Sequence, residues 1–218
     1  MNKRGLSFFY RFLLILSLST GIFLNVYHTS SVSVILSYYT LQSNVICLVF
    51  FVVIVIVSAV KEDYQEKDIY HFFKGGITIA IAITGIVYAI ALAPVGFEMN
   101  VNIDGFEKFM SNFLVHRLSP LLVILDYFIF DQKGKLKFYY PFIWLIIPLD
   151  YLIYVYAYTA NGGEFFSIGG SRKYAYTFLD YTQIGYHGVA MAIAIMGAFI
   201  LVISFLLVLV DRILGKRR

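Results

Sequence analysis

Few side chains in this chain could do chemistry, and two of them stand out by position. The stretch "SYYTLQSN", residues 37–44, heads a long apolar run. On a helix, Thr40, Ser43, Asn44 and Cys47 fall on one face, while Val45, Ile46, Val49 and Phe50 cover the rest. In a lipid-embedded helix such a stripe faces protein or a water-filled cavity, because lipid cannot hydrogen-bond it. Two readings stay open: the small polar residues only bond a neighbouring helix, or one of them reacts. The second stretch is "NFLVHRLSPLLVILDYFIF", residues 112–130, with His116 and Arg117 a turn or so into an apolar segment and Pro120 one turn later. An intramembrane histidine carries a desolvation cost, so a functional role is the first hypothesis and a hydrogen-bonded interfacial histidine the second. A threonine hydroxyl is a weak nucleophile at neutral pH and needs a base about 2.6–3.2 Å away. An imidazole, with a reference pKa of about 6.5, can be that base. Cys47 is the single cysteine, which excludes an internal disulfide, a CxxC pair and a thiolate metal cluster. No metal site and no cofactor is expected.

These residues must be held by membrane helices. The 218-residue chain is 60% hydrophobic and only 14% charged, too little polar surface for a soluble domain of its length. Six apolar runs, at about 6–27, 35–60, 75–94, 108–130, 138–159 and 185–210, are each long enough to cross a bilayer. The expectation is an all-α, polytopic bundle of six transmembrane helices forming one domain over residues 1–218. Lys3 and Arg4 precede the first run as in a signal peptide, but no small-x-small cleavage site follows it, so it reads as a retained helix. Lys3, Arg4, Arg11, Lys61, Lys67, Lys74, Lys133, Lys135, Lys137, Arg212, Lys216, Arg217 and Arg218 fall on one side; Lys108, Arg117, Arg172 and Lys173 fall on the other. The positive-inside rule then places both termini in the cytoplasm of a cell-membrane protein. The net charge of +4 is no nucleic-acid signal, since the basic residues sit where they set topology. The expected partners are membrane lipids and a lipid-like small molecule, with the oligomeric state open.

Depth links the two stretches. Spans two and four both run inward from the outer side, and Thr40 and His116 lie within about a turn of one level at ~1.5 Å per residue. That permits a hydroxyl–imidazole pair. His187 at the top of span six, and Tyr154, Tyr156 and Tyr158 of span five, share this layer. Asp126 lies about 15 Å deeper than His116, and Asp150 lies mid-span beside Pro148 and Tyr151. Each carboxylate is expected to be protonated, paired or hydrated. Either could serve proton-coupled transport or bond to Tyr or Ser. Asn25 and His28 read as interfacial, and His71 as a solvated loop residue. The loop from Ala160 to Ile184 has Gly pairs that mark turns, and its tyrosines either cap the bundle or anchor an ordinary interfacial loop. Haem ligation by His116 and His187 is a remoter option.

The motifs "YYTLQSN", "HRLSPLLVILDY" and "PFIWLIIPLDYLIYVYAY" resemble a bacterial family of predicted six-transmembrane proteins, known as Pr6Pr, over nearly the whole chain. That family resembles, more distantly, the eukaryotic androgen-induced and androgen-dependent TFPI-regulating membrane proteins. Those relatives are threonine hydrolases that cleave fatty-acid esters of hydroxy fatty acids, with a Thr opening span two and a His in span four. The resemblance implies a catalytic Thr40 and His116. Thr40 would attack the ester carbonyl and His116 would take its proton. The developing oxyanion needs a donor: Asn44, one turn below Thr40, is the candidate, with Gln42 second. Arg117 could attract a substrate carboxylate, and His187 completes the candidate substrate-binding set. The alternatives are a small-solute or proton-coupled transporter using Asp126 and Asp150, and a membrane protein with no chemistry.

Overall fold

In a computed structural model, residues 3–27, 32–61, 63–96, 105–167 and 170–216 are described. The described helices are α1 (Lys3–Tyr27), α2 (Val32–Leu36), α3 (Tyr39–Val60), α4 (Asp68–Val87), α5 (Gly105–Phe113), α6 (Ser119–Phe130), α7 (Tyr140–Trp144), α8 (Ile146–Ala160) and α9 (Tyr181–Lys216). A short antiparallel hairpin, β1 (Phe165–Ser167) with β2 (Gly170–Arg172), interrupts them. Six segments are long and apolar enough to cross a membrane: Arg4–Tyr27, Tyr39–Val60, Asp68–Leu92, Gly105–Phe130, Tyr140–Ala160 and Tyr181–Lys216. This is the multi-pass all-helical architecture expected. His28, Arg217 and Arg218 lie outside the described residues.

Close helix approach in lipid relies on small residues, since apolar side chains gain little there by leaving lipid. Glycines provide it here. A Cβ on Gly21 of α1 would lie 2.9 Å from Val115, so the first span presses against the fourth beside His116. A Cβ on Gly85 would lie 3.1 Å from Pro120 and 3.3 Å from the His116 carbonyl oxygen. Gly75 and Gly76 of α4 hold the Trp144 indole, which donates its N–H to the Phe72 carbonyl at 3.0 Å. The central helix α4 thereby packs on α3, α6, α7 and α9.

One end of the bundle gathers both terminal segments and the basic connections, and its charges are not where loop residues would be. The third span begins at Asp68, seven residues earlier than expected, which draws His71 and Lys74 into the helix. His71 is buried, with Nε2 2.6 Å from the Gln65 carbonyl oxygen, rather than solvated. Lys74 and Arg11, assigned above to the topology-setting charges, are also fully buried. Arg11 Nε meets Asp126 Oδ1 at 2.9 Å and Lys74 Nζ meets Asp126 Oδ2 at 2.5 Å. Asp131 lies 3.5 Å from Arg11 and 3.6 Å from Lys74, and accepts a bond from the Tyr70 hydroxyl. Two cations face two carboxylates, so neither pair of charges is left isolated in a low-dielectric interior. A further buried carboxylate, Asp211 of α9, accepts from the Tyr127 hydroxyl at 2.6 Å and the Leu136 N–H at 2.9 Å.

The opposite end is closed by residues 161–167 and 170–180. Phe165, Tyr174, Ala175, Tyr176 and Leu179 are buried in one cluster with Ile35, Tyr38, Leu41, Tyr151 and Val155. Of the two readings of this loop, the structure takes the cap. Asp180 then starts α9: its carboxylate accepts from the Thr182 N–H at 2.9 Å and the Gln183 amide at 2.7 Å. After one turn, Gly185 adopts φ 70°, a left-handed value open to glycine, and breaks the helix direction.

Candidate functional site

Thr40 owes its place to a turn. The short α2 ends at Leu36, Ser37 and Tyr38 turn the chain, and α3 restarts at Tyr39 with Tyr38 in extended backbone. Thr40 is thus in the first turn of a 22-residue helix, and its side chain is buried at 3% exposure. His116 owes its place to Pro120. Proline has no N–H to return to the carbonyl four residues earlier, which is that of His116. The chain absorbs this in a π-helical turn over Leu114–Leu118, between α5 and α6. Such wide turns re-aim side chains and recur at functional sites. A second π-helical turn, Tyr88–Leu92, ends the third span and brings the Tyr88 ring onto the His116 ring, with centroids 3.8 Å apart and planes 18° from parallel.

The two side chains meet. Thr40 Oγ1 lies 3.2 Å from His116 Nε2, and His116 Nδ1 lies 3.3 Å from the Asn112 carbonyl oxygen. A carbonyl only accepts, so Nδ1 carries the proton there and Nε2 is left as the acceptor facing the threonine hydroxyl. The tautomer follows from this bonding logic. His116 is buried at 1% exposure, and its ring is fixed by a backbone acceptor, an aromatic face and the threonine.

Thr40 also forms part of the wall of a cavity between α3, α4, α8 and α9, with about 180 Å³ open to water-sized molecules. The lining is mostly apolar: Ile83, Val87, Leu152, Ile193, Met196 and Ile200 among others. The hydroxyl-bearing residues of the lining are Thr40, Thr84, Tyr39, Tyr151 and Tyr176. Burial pushes the Tyr176 phenol up to about 12, with the adjoining Thr40 and Tyr151 side chains and the Tyr39 backbone pulling the other way. The group therefore keeps its proton at neutral pH.

The rest of the predicted set is placed elsewhere. Asn44 is buried beneath Thr40, but its amide N–H groups go to the Thr40 carbonyl at 2.7 Å and the Val115 carbonyl at 3.1 Å, so neither is left for an oxyanion. Gln42 turns back to the Leu36 carbonyl at 3.2 Å. Arg117 and His187 are exposed on the outer faces of their helices and do not line the cavity. For Arg117 the reason is rotational: the residue next to His116 in the turn points to a different side of the helix. Ser43 bonds Thr84 at 2.8 Å, so within the polar stripe only Thr40 reaches the cavity. Asp126 is held by Arg11 and Lys74, while Asp150 is exposed on α8, and the two do not come together. Tyr88, Tyr151 and Tyr176 were not singled out from the sequence. Tyr176 belongs to the aromatic series of the last loop and Tyr151 follows Asp150, but among 18 tyrosines neither has a local mark. No family description, curated protein or solved structure matches this chain.

Proposed function

We propose that this protein is an integral membrane hydrolase that cleaves a lipid-like ester of the fatty-acid ester of hydroxy fatty acid type, with Thr40 as nucleophile and His116 as base. The observation that carries the reading is the 3.2 Å approach of Thr40 Oγ1 to an oriented imidazole at the wall of an apolar cavity. The resemblance of the span-two and span-four motifs to the bacterial Pr6Pr family, which in turn distantly resembles threonine hydrolases with a Thr opening span two and a His in span four, supports the same two residues. In the reaction, Thr40 Oγ bonds to the ester carbonyl carbon as its proton passes to His116 Nε2. The tetrahedral adduct collapses, the bond to the alcohol oxygen breaks, and His116 returns the proton to that oxygen. Water then attacks the acyl-threonine with His116 again as base, releasing the fatty acid. The acyl chain occupies the cavity between α8 and α9. We further propose a cell-membrane location with both termini cytoplasmic, which sets Thr40 near the outer leaflet.

The transporter alternative has less support, because Asp126 is already charge-paired and Asp150 is exposed away from it. A fluorophosphonate probe tests the hydrolase. It is expected to label residue 40 by mass spectrometry, retain labelling in Thr40→Ser, and lose it in Thr40→Val and His116→Ala. Labelling that persists in Thr40→Val overturns the assignment.

A further inference from the structure

We propose that the hydroxyls of Tyr151 and Tyr176 hold the oxyanion that forms when Thr40 attacks its substrate; this rests on the hydrolase reading above. An acyl-transfer site needs donors aimed at the developing oxygen, and the nearest side-chain amides are spent on carbonyls or turned away. Two tyrosines, Tyr151 and Tyr176, line the cavity beside Thr40. Tyr151 is 7% exposed and lines the cavity, and among the described residues its buried hydroxyl makes no hydrogen bond of normal geometry. A buried hydroxyl left unpaired costs about 1–3 kcal/mol, which a bound acceptor in the cavity would recover. Tyr176 comes from the capping loop and lines the same cavity; its ring centroid is 6.4 Å from that of Tyr151, with planes at 58°. Its hydroxyl is at the Thr40 side chain. Both phenols also interact with the Tyr39 backbone at the start of α3, and with each other. Tyr38 provides no side-chain cap to that helix start, so the positive end of a 22-residue helix adds its field at the same point.

The step balances without any further reactant. As the Thr40 oxygen bonds to the carbonyl carbon, the π pair of the C=O bond moves onto the carbonyl oxygen, and the threonine proton goes to His116 Nε2. The new oxyanion accepts hydrogen bonds from the two phenols, which keep their protons. On collapse the pair re-forms the C=O bond, the alcohol leaves, and His116 protonates it. The tyrosines lend no proton and take none; they act by being closer to the charge in the transition state than to the neutral carbonyl.

The test uses full-length protein in detergent micelles, a p-nitrophenyl acyl ester as substrate and the fluorophosphonate probe as titrant of Thr40. Tyr151→Phe and Tyr176→Phe each keep the ring and remove one donor. Each is expected to lower kcat by about 100-fold with KM within about twofold, and to slow probe labelling in parallel. A trifluoromethyl ketone that adds to Thr40 should lose affinity in both variants, while a non-reactive amide of the same chain binds as to the wild type. Reaction of the buried Cys47 with a maleimide dye reports whether each variant is folded, and two variants from separate elements guard against one that is not. Wild-type kcat and ketone affinity in both folded variants would overturn the oxyanion assignment while leaving Thr40 and His116 intact. A wild-type protein that the probe does not label at Thr40 would sink the hydrolase reading and this proposal with it.

Discussion

The buried charge cluster offers a sharp test of what holds the bundle together. Asp126→Asn removes the carboxylate that contacts both cations, Arg11 at 2.9 Å and Lys74 at 2.5 Å, and leaves Asp131 at 3.5 and 3.6 Å to balance them. All four side chains are at most 1% exposed, so water cannot take over. A close pair attracts by about 4 kcal/mol at an effective dielectric of about 20, and breaking a buried pair on one side costs about 3–5 kcal/mol. For a chain of this length that lowers the unfolding midpoint by roughly 10 °C. Cys47, the single cysteine, is fully buried, so thermal unfolding in detergent can be followed by its reaction with a fluorogenic maleimide. The double variant Asp126→Asn/Lys74→Met restores one cation to one carboxylate and is expected to be more stable than Asp126→Asn alone. A single variant within about 0.5 kcal/mol of the wild type, or a double variant that loses the sum of its parts, would refute the charge-balance argument.

Further outcomes follow from the packing and the charges. Lys74→Met leaves two carboxylates with one cation; burial pushes the Asp131 carboxyl above the usual carboxylate range, with Lys74 lowering it in the wild type. A raised folded-state pKa gives stability that is full below the unfolded value, about 4, and is lost as pH rises through the folded value, so this variant should melt higher at pH 5 than at pH 8. Gly75→Ala sets a Cβ 2.4 Å from the Trp144 ring, and overpacking of this kind should destabilise by about 1–3 kcal/mol in the same melting assay. Asp180→Ala removes the cap of α9 and should cost about 1 kcal/mol. Burial raises the Asp180 carboxyl, but hydrogen bonds from Thr182 and Gln183 outweigh it and set the pKa low; its contribution is therefore present above the unfolded value and fades as pH falls through the lower folded one. Gly197 lines the cavity and a Cβ there meets nothing within 4 Å, so Gly197→Leu should impair turnover of long-chain esters while sparing acetate esters.

The sequence by itself determined the number and placement of the spans, because apolar length is a local property that lipid reads directly. It also marked Thr40 and His116 as polar groups that had to be explained. It read Arg11 and Lys74 only as topology-setting charges and His71 as a solvated loop residue, and missed their burial, since a lysine looks the same whether its carboxylate partner is water-solvated or 52 residues away in a buried pair. It offered Asn44 and Gln42 as donors by helical spacing, but spacing does not tell which backbone carbonyls a side chain will satisfy. Only the tertiary structure brought the second and fourth spans into contact at Thr40 and His116, with the glycines at 21 and 85 seating the first and third spans on the fourth and the wide turn before Pro120 aiming the imidazole. It alone folded the last loop inward to set Tyr176 beside Thr40. Lateral neighbours in a bundle are chosen by packing between segments far apart in the chain, and a hydropathy pattern has no record of that choice.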